Sequence, residues 1–117
     1  MIRGLGTDII EVARIAKVYN RFGNAFLERI FTPSEIAYLL SHKNPAERIA
    51  GHFAAKEAIA KALGTGIGPK LHWHDIALSH TPEGAPTAHT PFSGLLHLTI
   101  SHTKTFATAT AIYEELP

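Results

Sequence analysis

The stretch AERIAGHFAAKEAIAKAL, residues 46–63, decides the fold class of this chain. It is rich in alanine, the best helix former, and Gly64 follows it at the position where helices commonly end. The preceding Asn44-Pro45 pair, with Glu47 three residues after Asn44, is typical of a helix start. The sequence therefore predicts one long helix over the whole stretch.

Before this helix the apolar pattern predicts one strand followed by shorter helices. Residues 2–10 alternate as in a strand, and one face of that strand carries Gly4 and Gly6. Two glycines on one face predict that another backbone or a ligand approaches there. The segment Thr32–Glu35 predicts a helix start with a capping box. Helical spacing predicts helices over residues 12–20, 24–30 and 33–42.

After the long helix, a glycine-rich loop at residues 64–69 leads into a part of the chain with strand-like alternation. That alternation predicts strands near residues 74–79, 86–90, 96–101 and 105–113. A strand, then helices, then a run of strands is the order of an α+β fold with an antiparallel sheet. We expect a single domain that spans residues 1–117.

Composition excludes several classes of function. The 117 residues include no cysteine, which rules out disulfides, cysteine-based zinc sites, iron–sulfur clusters and thiol catalysis. A net charge of +1 is too small for a general nucleic-acid binder, and charges interrupt every apolar run that might span a membrane. We therefore expect a cytoplasmic protein without a nucleic-acid or membrane partner. Its small core makes burial against a partner subunit plausible.

Two carboxylates occupy positions that stability alone does not favour. Glu57 lies in the apolar stripe of the long helix, four residues after Phe53, and Asp8 lies on the glycine face of the first strand. One Asp and one Glu from different elements, with water and substrate phosphates, commonly hold Mg²⁺. Two alternatives remain open: Glu57 reaches solvent or pairs with Lys61, and Asp8 caps the first helix.

Cationic and backbone groups accompany these carboxylates along the chain. Lys56 and Lys61 flank Glu57, and Lys61 is placed to meet a phosphate as a point charge. The alternative, an exposed helix lysine, suits Lys56 better than Lys61. The segment Gly64-Thr65-Gly66 offers backbone N–H groups to a phosphate, or it is a simple helix stop, because a helix C-terminus disfavours an anion.

Three basic residues of the first helix, Arg14, Lys17 and Arg21, are spaced at i, i+3 and i+7. This spacing places them on one side of the helix, and we call them the basic ridge. Such a ridge docks an acidic protein or a phosphate chain, or it is a solvated surface.

Eight histidines offer further candidates. His72 and His74 are spaced like a pair of metal ligands, but no third ligand is apparent. Ser101 and His102 suggest a nucleophile and a base, but no neighbouring Asp orients the imidazole. For His102 the position favours a contact with a phosphate or a nucleotide base.

Three segments in this order and spacing closely resemble one known family: GLGTDIIEVAR at 4–14, FAAKEAIAKALGTG at 53–66 and TISH at 99–102. The family is that of the holo-[acyl-carrier-protein] synthases, the short bacterial 4′-phosphopantetheinyl transferases. The resemblance covers nearly the whole chain.

The resemblance implies transfer of the phosphopantetheine arm of coenzyme A to a serine of acyl carrier protein, with adenosine 3′,5′-bisphosphate as by-product. It implies that Mg²⁺ is held by Asp8 and Glu57 and that Lys61 lies beside the phosphates, so these three residues are the expected catalytic set. It also implies a homotrimer with each coenzyme A site between two subunits, and an acidic carrier protein as the partner of the basic ridge. The residues expected to contact coenzyme A are Lys56, Lys61, Gly64, Thr65, Gly66 and His102.

Two positions depart from the family pattern, and two other functions remain open. His52 stands where the family often has Arg, which changes one cationic contact to coenzyme A or to the neighbouring subunit, and Thr99 stands where Ser is common. A different Mg²⁺-dependent phosphate enzyme would use the same two carboxylates. A non-enzymatic oligomeric module that binds an acidic protein would use the basic ridge alone.

Overall fold

The computed structural model describes residues 1–117 and has the predicted α+β order of one strand, four helices and four further strands. None of the helices combines the length and the apolar character needed to cross a membrane. The elements are β1 (Ile2–Glu11), α1 (Val12–Phe22), α2 (Asn24–Ile30), α3 (Pro33–Leu40), α4 (Pro45–Ala62), β2 (Ala77–His80), β3 (Pro86–His89), β4 (Leu95–His102) and β5 (Phe106–Glu114).

The strands form two antiparallel sheets. The larger has the order β1-β5-β4, and β2 pairs only with β3 as a hairpin. The predicted strand near 74–79 is shorter than expected, because Trp73–Asp75 forms a 3₁₀ turn before β2 begins. In the larger sheet Gly6 stands opposite Ala111, and Asp8 opposite Ala109. Small residues therefore line the face of the sheet that meets α4.

Those small residues bring β1 and α4 into backbone contact. A Cβ at Gly4 would overlap the carbonyl oxygen of Ala62, and a Cβ at Gly6 would overlap the carbonyl oxygen of Ala58. This confirms the prediction that another backbone approaches the glycine face of the first strand. The contact fixes β1 against α4, and so it fixes the positions of the side chains that these two elements present to each other.

Gly6→Ala is expected to lower the free energy of unfolding by about 3 kcal/mol, because the added methyl group must displace a helix backbone. Gly68→Ala is the matched control, since a Cβ at Gly68 meets open space and its φ is not in the left-handed region. Urea denaturation of both variants measures the difference. Equal midpoints for the two variants would contradict the close approach of β1 and α4.

Helix α4 is buried on nearly all sides. It packs against the sheet through one cluster of apolar residues and against α1, α2 and α3 through a second. The single apolar stripe predicted for this helix covers only part of its buried surface, since Ile49, Ala55 and Ile59 are also fully buried. Its alanine content serves this position, because small side chains let other elements approach from several directions.

The helix starts differ from the predictions in one case. Thr32 and Glu35 form the predicted capping box of α3, in which Thr32 N–H donates to Glu35 Oε1 at 2.8 Å and Glu35 N–H donates to Thr32 Oγ1 at 3.3 Å. Asn44 makes no side-chain cap at the start of α4. Glu47 instead accepts a hydrogen bond from His102 Nδ1 at 3.1 Å, so it links α4 to the end of β4.

Candidate active site

The glycine face of β1 brings Asp8 next to Glu57 of α4. Both side chains are half-buried, and the Glu57 carboxylate accepts no hydrogen bond from the protein. Burial raises the pKa of Glu57, the negative charge of Asp8 raises it further, and Lys61 opposes both effects. Two carboxylates that repel each other in this way favour a cation between them.

Lys61 completes the group by pairing with Asp8. Its Nζ donates to the carbonyl oxygen of Thr7 at 2.9 Å and lies 3.4 Å from Asp8 Oδ1. The alternative in which Lys61 forms an ion pair with Glu57 is therefore wrong. Asp8 does not cap α1 either, because Glu11 occupies the N-cap position. The structure thus brings together Asp8, Glu57 and Lys61, the three residues expected to be catalytic.

The donor set of this site fits Mg²⁺. The protein offers two carboxylates from different elements, and no group of three or more His, Cys, Asp or Glu side chains is placed to hold a metal alone. Mg²⁺ is usually held by one or two carboxylates, and it completes its shell with water and substrate phosphates. The remaining positions around such an ion would therefore belong to water and to a phosphate ligand.

The position of Lys56 contradicts both interpretations made from the sequence, a contact to a phosphate of coenzyme A and an exposed helix lysine. Its side chain is fully buried, so it is not an exposed helix lysine. Its Nζ donates to Glu35 Oε1 at 2.7 Å, to the carbonyl of Ile30 at 2.9 Å and to the carbonyl of Trp73 at 3.1 Å. All three protons of the ammonium group have acceptors inside the protein, so Lys56 has no donor left for a phosphate.

The segment Gly64-Thr65-Gly66 also differs from the phosphate-binding prediction. Its three backbone N–H groups donate to the last turn of α4, one to the carbonyl of Lys61 and two to the carbonyl of Ala60. Gly64 and Gly66 have φ of 80° and 63°, the left-handed conformation that commonly ends a helix. The geometry therefore matches the helix-stop alternative, because these N–H groups are already used.

His102 lies at a small cavity that the sequence did not reveal. The cavity has a volume of about 90 Å³, and its walls include Arg48, His52, His80 and His102. His102 is oriented by Glu47, a carboxylate that sequence reasoning did not connect with it. Arg48 and His52 are spaced at i and i+4 on α4, which was the available signal. His80 comes from the hairpin, and no local pattern connects it to the helix.

The basic ridge is exposed and lies near an apolar groove. Arg14, Lys17 and Arg21 are on the surface of α1, and none of them forms an ion pair. The guanidinium carbon of Arg21 lies 5.1 Å from the ring of Phe22, which forms part of the groove. The groove has a volume of about 460 Å³, and its walls include Val18, Phe22, Phe26 and Trp73.

Comparison with known proteins gives the class to which this fold and site belong. Residues 4–111 match the model of the 4′-phosphopantetheinyl transferase superfamily, and the chain belongs to this family of enzymes. More closely, it is 46% identical over 125 residues to the holo-[acyl-carrier-protein] synthase of Koribacter versatilis, covering 98% of this chain and 100% of that protein. It is also 46% identical over 113 residues to the synthase of Chlorobaculum tepidum, with coverage of 94% and 97%.

Solved structures agree with the sequence comparison. The holo-(acyl-carrier-protein) synthase of Bacillus anthracis, in complex with CoA (3′,5′-ADP), matches with a TM-score of 0.91 and 42% identity over 99% of each chain. The Helicobacter pylori synthase, in complex with coenzyme A, matches with a TM-score of 0.87 and 39% identity over 94% of this chain and 99% of that one. These similarities confirm the fold class and the family resemblance that the sequence predicted.

Proposed function

We propose that this enzyme transfers the 4′-phosphopantetheine arm of coenzyme A to a serine of apo acyl carrier protein in a Mg²⁺-dependent reaction that releases adenosine 3′,5′-bisphosphate. The observation that supports this most is the meeting of Asp8 and Glu57 across the β1–α4 contact, with Lys61 beside them. The names of relatives that match almost the full chain support the same reaction. We place this single domain in the cytoplasm.

Each of the three residues has a distinct task in the proposed reaction. Mg²⁺, when held by Asp8 and Glu57, supplies the positive charge that neutralises the diphosphate of coenzyme A. Lys61 uses two protons on Thr7 and Asp8, which leaves the third for a phosphate oxygen. Glu57 accepts no hydrogen bond from the protein, so one of its oxygens is free to receive the serine proton, directly or through water.

The test is to mix the enzyme with coenzyme A, Mg²⁺ and an apo carrier protein and to measure the mass of the carrier. Addition of one phosphopantetheine arm, dependent on Mg²⁺, is the expected result. A phosphohydrolase would instead release product from coenzyme A without any carrier. A non-enzymatic module would bind the carrier without modifying it, and that binding would not depend on Asp8 or Glu57.

The basic ridge is proposed as the docking surface for the carrier, because acyl carrier proteins are acidic and the three cations carry no competing ion pair. Arg14→Glu is expected to raise the KM for the carrier about tenfold and to leave the KM for coenzyme A unchanged. Added salt is expected to weaken the wild type more than the variant.

Lys70→Glu is the matched control for Arg14→Glu. Lys70 is exposed in the loop between α4 and β2, outside the ridge, so the charge change is the same but the ridge is intact. Steady-state kinetics with each substrate varied in turn separate the two KM values. If Arg14→Glu weakened coenzyme A and spared the carrier, the ridge would belong to the nucleotide site.

A homotrimer is proposed on the outer face of the larger sheet. Leu5 and Ile9 of β1 are 66% and 65% exposed there, an unusual density of apolar surface for one strand. The alanine face of β5 is buried against α4. The face with Thr108 and Thr110 therefore remains for contacts between copies, and the coenzyme A site is proposed to lie between two subunits.

Thr110→Arg is expected to convert the trimer into monomers and to reduce transfer strongly. Thr110 lies at the centre of the outer face, opposite Thr7 on one neighbouring strand and Thr99 on the other, so a charge there would be buried without a partner. Light scattering after size-exclusion chromatography measures the mass. Ala37→Arg, on the exposed side of α3, is the control that should remain trimeric. A fully active wild-type monomer would refute the proposal.

A further inference from the structure

The small cavity between α3, α4, β4 and the β2–β3 hairpin has the composition of an anion site. Four nitrogen-bearing side chains, Arg48, His52, His80 and His102, surround its volume of about 90 Å³, and no carboxylate is among its lining residues. The ring of Tyr38 stacks on that of His80, with centroids 4.0 Å apart and 18° between the planes, and so fixes the orientation of this imidazole. A guanidinium beside imidazoles that can be protonated suits a phosphate group.

Hydrogen bonds define the tautomers of the two central imidazoles. His52 Nδ1 lies 2.7 Å from the carbonyl oxygen of Arg48, and because a carbonyl only accepts, Nδ1 must carry the hydrogen. In neutral His52 the lone pair is then on Nε2, which lies 3.1 Å from His80 Nε2. His80 therefore donates from Nε2. The two rings share a single hydrogen between facing nitrogens.

This pair is neutral at pH 7 without an anion nearby. Burial lowers the pKa of His52 to about 4, and burial together with Arg48 and His42 lowers the pKa of His80. The only nearby carboxylates are Glu35, which faces His52, and Glu47, which is paired with His102. The titratable or charged groups around the pair are Glu35, Tyr38, His42, Glu47, Arg48 and His102.

The geometry accommodates one additional proton. A proton added to His80 at Nδ1 allows the hydrogen on its Nε2 to move to Nε2 of His52, where it continues to bridge the two rings. The result is one imidazolium and one imidazole joined by an N–H···N bond, with the hydrogen bond from His52 Nδ1 to Arg48 unchanged. His80 is only half-buried, so this proton can enter from solvent.

We propose that the His52–His80 pair takes up one proton when a phosphate group of the ligand enters this cavity. A dianion within about 4–6 Å favours the charged form of an imidazole, so binding and protonation support each other. The proposal rests on the proposed function in one respect, since it takes the phosphate to be part of coenzyme A. In this arrangement the affinity for the substrate falls as pH rises, by up to about tenfold per pH unit for one linked proton.

The test is calorimetric titration of the full chain with adenosine 3′,5′-bisphosphate at pH 7, in two buffers with different ionisation enthalpies. Wild type is expected to take up close to one proton more per bound ligand than His52→Arg, in which a permanent charge replaces the titrating ring. His52→Gln and His80→Gln are expected to lose the uptake and to bind more weakly. His89→Gln, which removes an exposed histidine outside the cavity, should behave as wild type.

The outcomes separate this proposal from the proposed function. The second pKa of a phosphate monoester is about 6, so the ligand is mostly ionised at pH 7, and its own titration beside cations releases protons and does not take them up. Adenosine, which has no phosphate, should cause no uptake. Binding without uptake, or equal uptake in His52→Gln and His80→Gln, overturns the proposal, as does failure of the bisphosphate to bind. The carrier-modification assay on the same wild-type sample then shows whether transfer survives. Should His52→Gln not fold, His80→Gln tests the same proton uptake from a half-exposed position.

Discussion

Glu57→Gln is expected to reduce phosphopantetheine transfer by about 10³-fold at saturating Mg²⁺, while the protein remains folded. Glutamine keeps the shape of the side chain but removes the charge, and a metal ion contributes several kcal/mol of charge stabilisation to a transition state. Asp8→Asn tests the second carboxylate in the same way. Glu28→Gln is the matched control, because Glu28 is exposed on α2 and its carboxylate forms no ion pair.

Glu57→Gln is expected to lower activity but to raise the stability of the protein without Mg²⁺. The pKa of Glu57 is higher in the folded protein than its ordinary value of 4.5, so the folded state binds more protons than the unfolded state. The stability from this group is complete below pH 4.5 and is lost as pH rises through the folded pKa. At pH 7 without Mg²⁺, Glu57→Gln is therefore expected to unfold at a higher temperature than wild type.

With Mg²⁺ present, wild type should unfold at a higher temperature than Glu57→Gln. Mg²⁺ binds the folded wild type and stabilises it by mass action, whereas the glutamine variant has lost one ligand and gains little. Differential scanning calorimetry with and without Mg²⁺ measures both effects independently of catalysis. Equal stabilisation of wild type and Glu57→Gln by Mg²⁺, or normal transfer by the variant, would remove Glu57 from the metal site.

Local patterns were sufficient to predict most of the fold. The capping box at Thr32, the alanine-rich run that became α4 and the alternation after Gly94 each encode an element within a few neighbouring residues. The errors arose where tertiary contacts decide the outcome. The spacing of Asn44 and Glu47 fits a capping box, but Asn44 makes no cap hydrogen bond and Glu47 accepts one from His102, 55 residues away.

The candidate site was predictable only in part, for the same reason. Asp8 is a charged residue on the glycine face of a strand, and Glu57 is a charged residue in the apolar stripe of a helix. Because each departs from its local pattern, both could be identified from a single sequence. No local pattern distinguishes Lys56 from Lys61. Because α4 is buried on almost every side, only the elements packed around it determine which of the two lysines is enclosed. The cavity at His52 combines side chains from separate elements, which no spacing along the chain predicts.

Lys56→Met is expected to lower the free energy of unfolding by about 3–5 kcal/mol, the cost of removing one partner from a buried ion pair. The loss would leave the Glu35 carboxylate charged and enclosed, and it would leave the carbonyls of Ile30 and Trp73 without this donor. Glu35 also accepts from the backbone N–H of Leu78 at 2.6 Å, so the pair joins four separate parts of the chain to α4.

The matched control is Lys70→Met, which removes an exposed lysine and should change stability by less than about 0.5 kcal/mol. The double variant Glu35→Gln/Lys56→Met is expected to be more stable than Lys56→Met alone, because the amide removes the unpaired buried charge and its oxygen still accepts one of the two backbone hydrogen bonds. Urea denaturation of the three variants measures these differences. If Lys56→Met unfolded at the same urea concentration as wild type, the ion pair would not be what holds α4, and with it Glu57, in place.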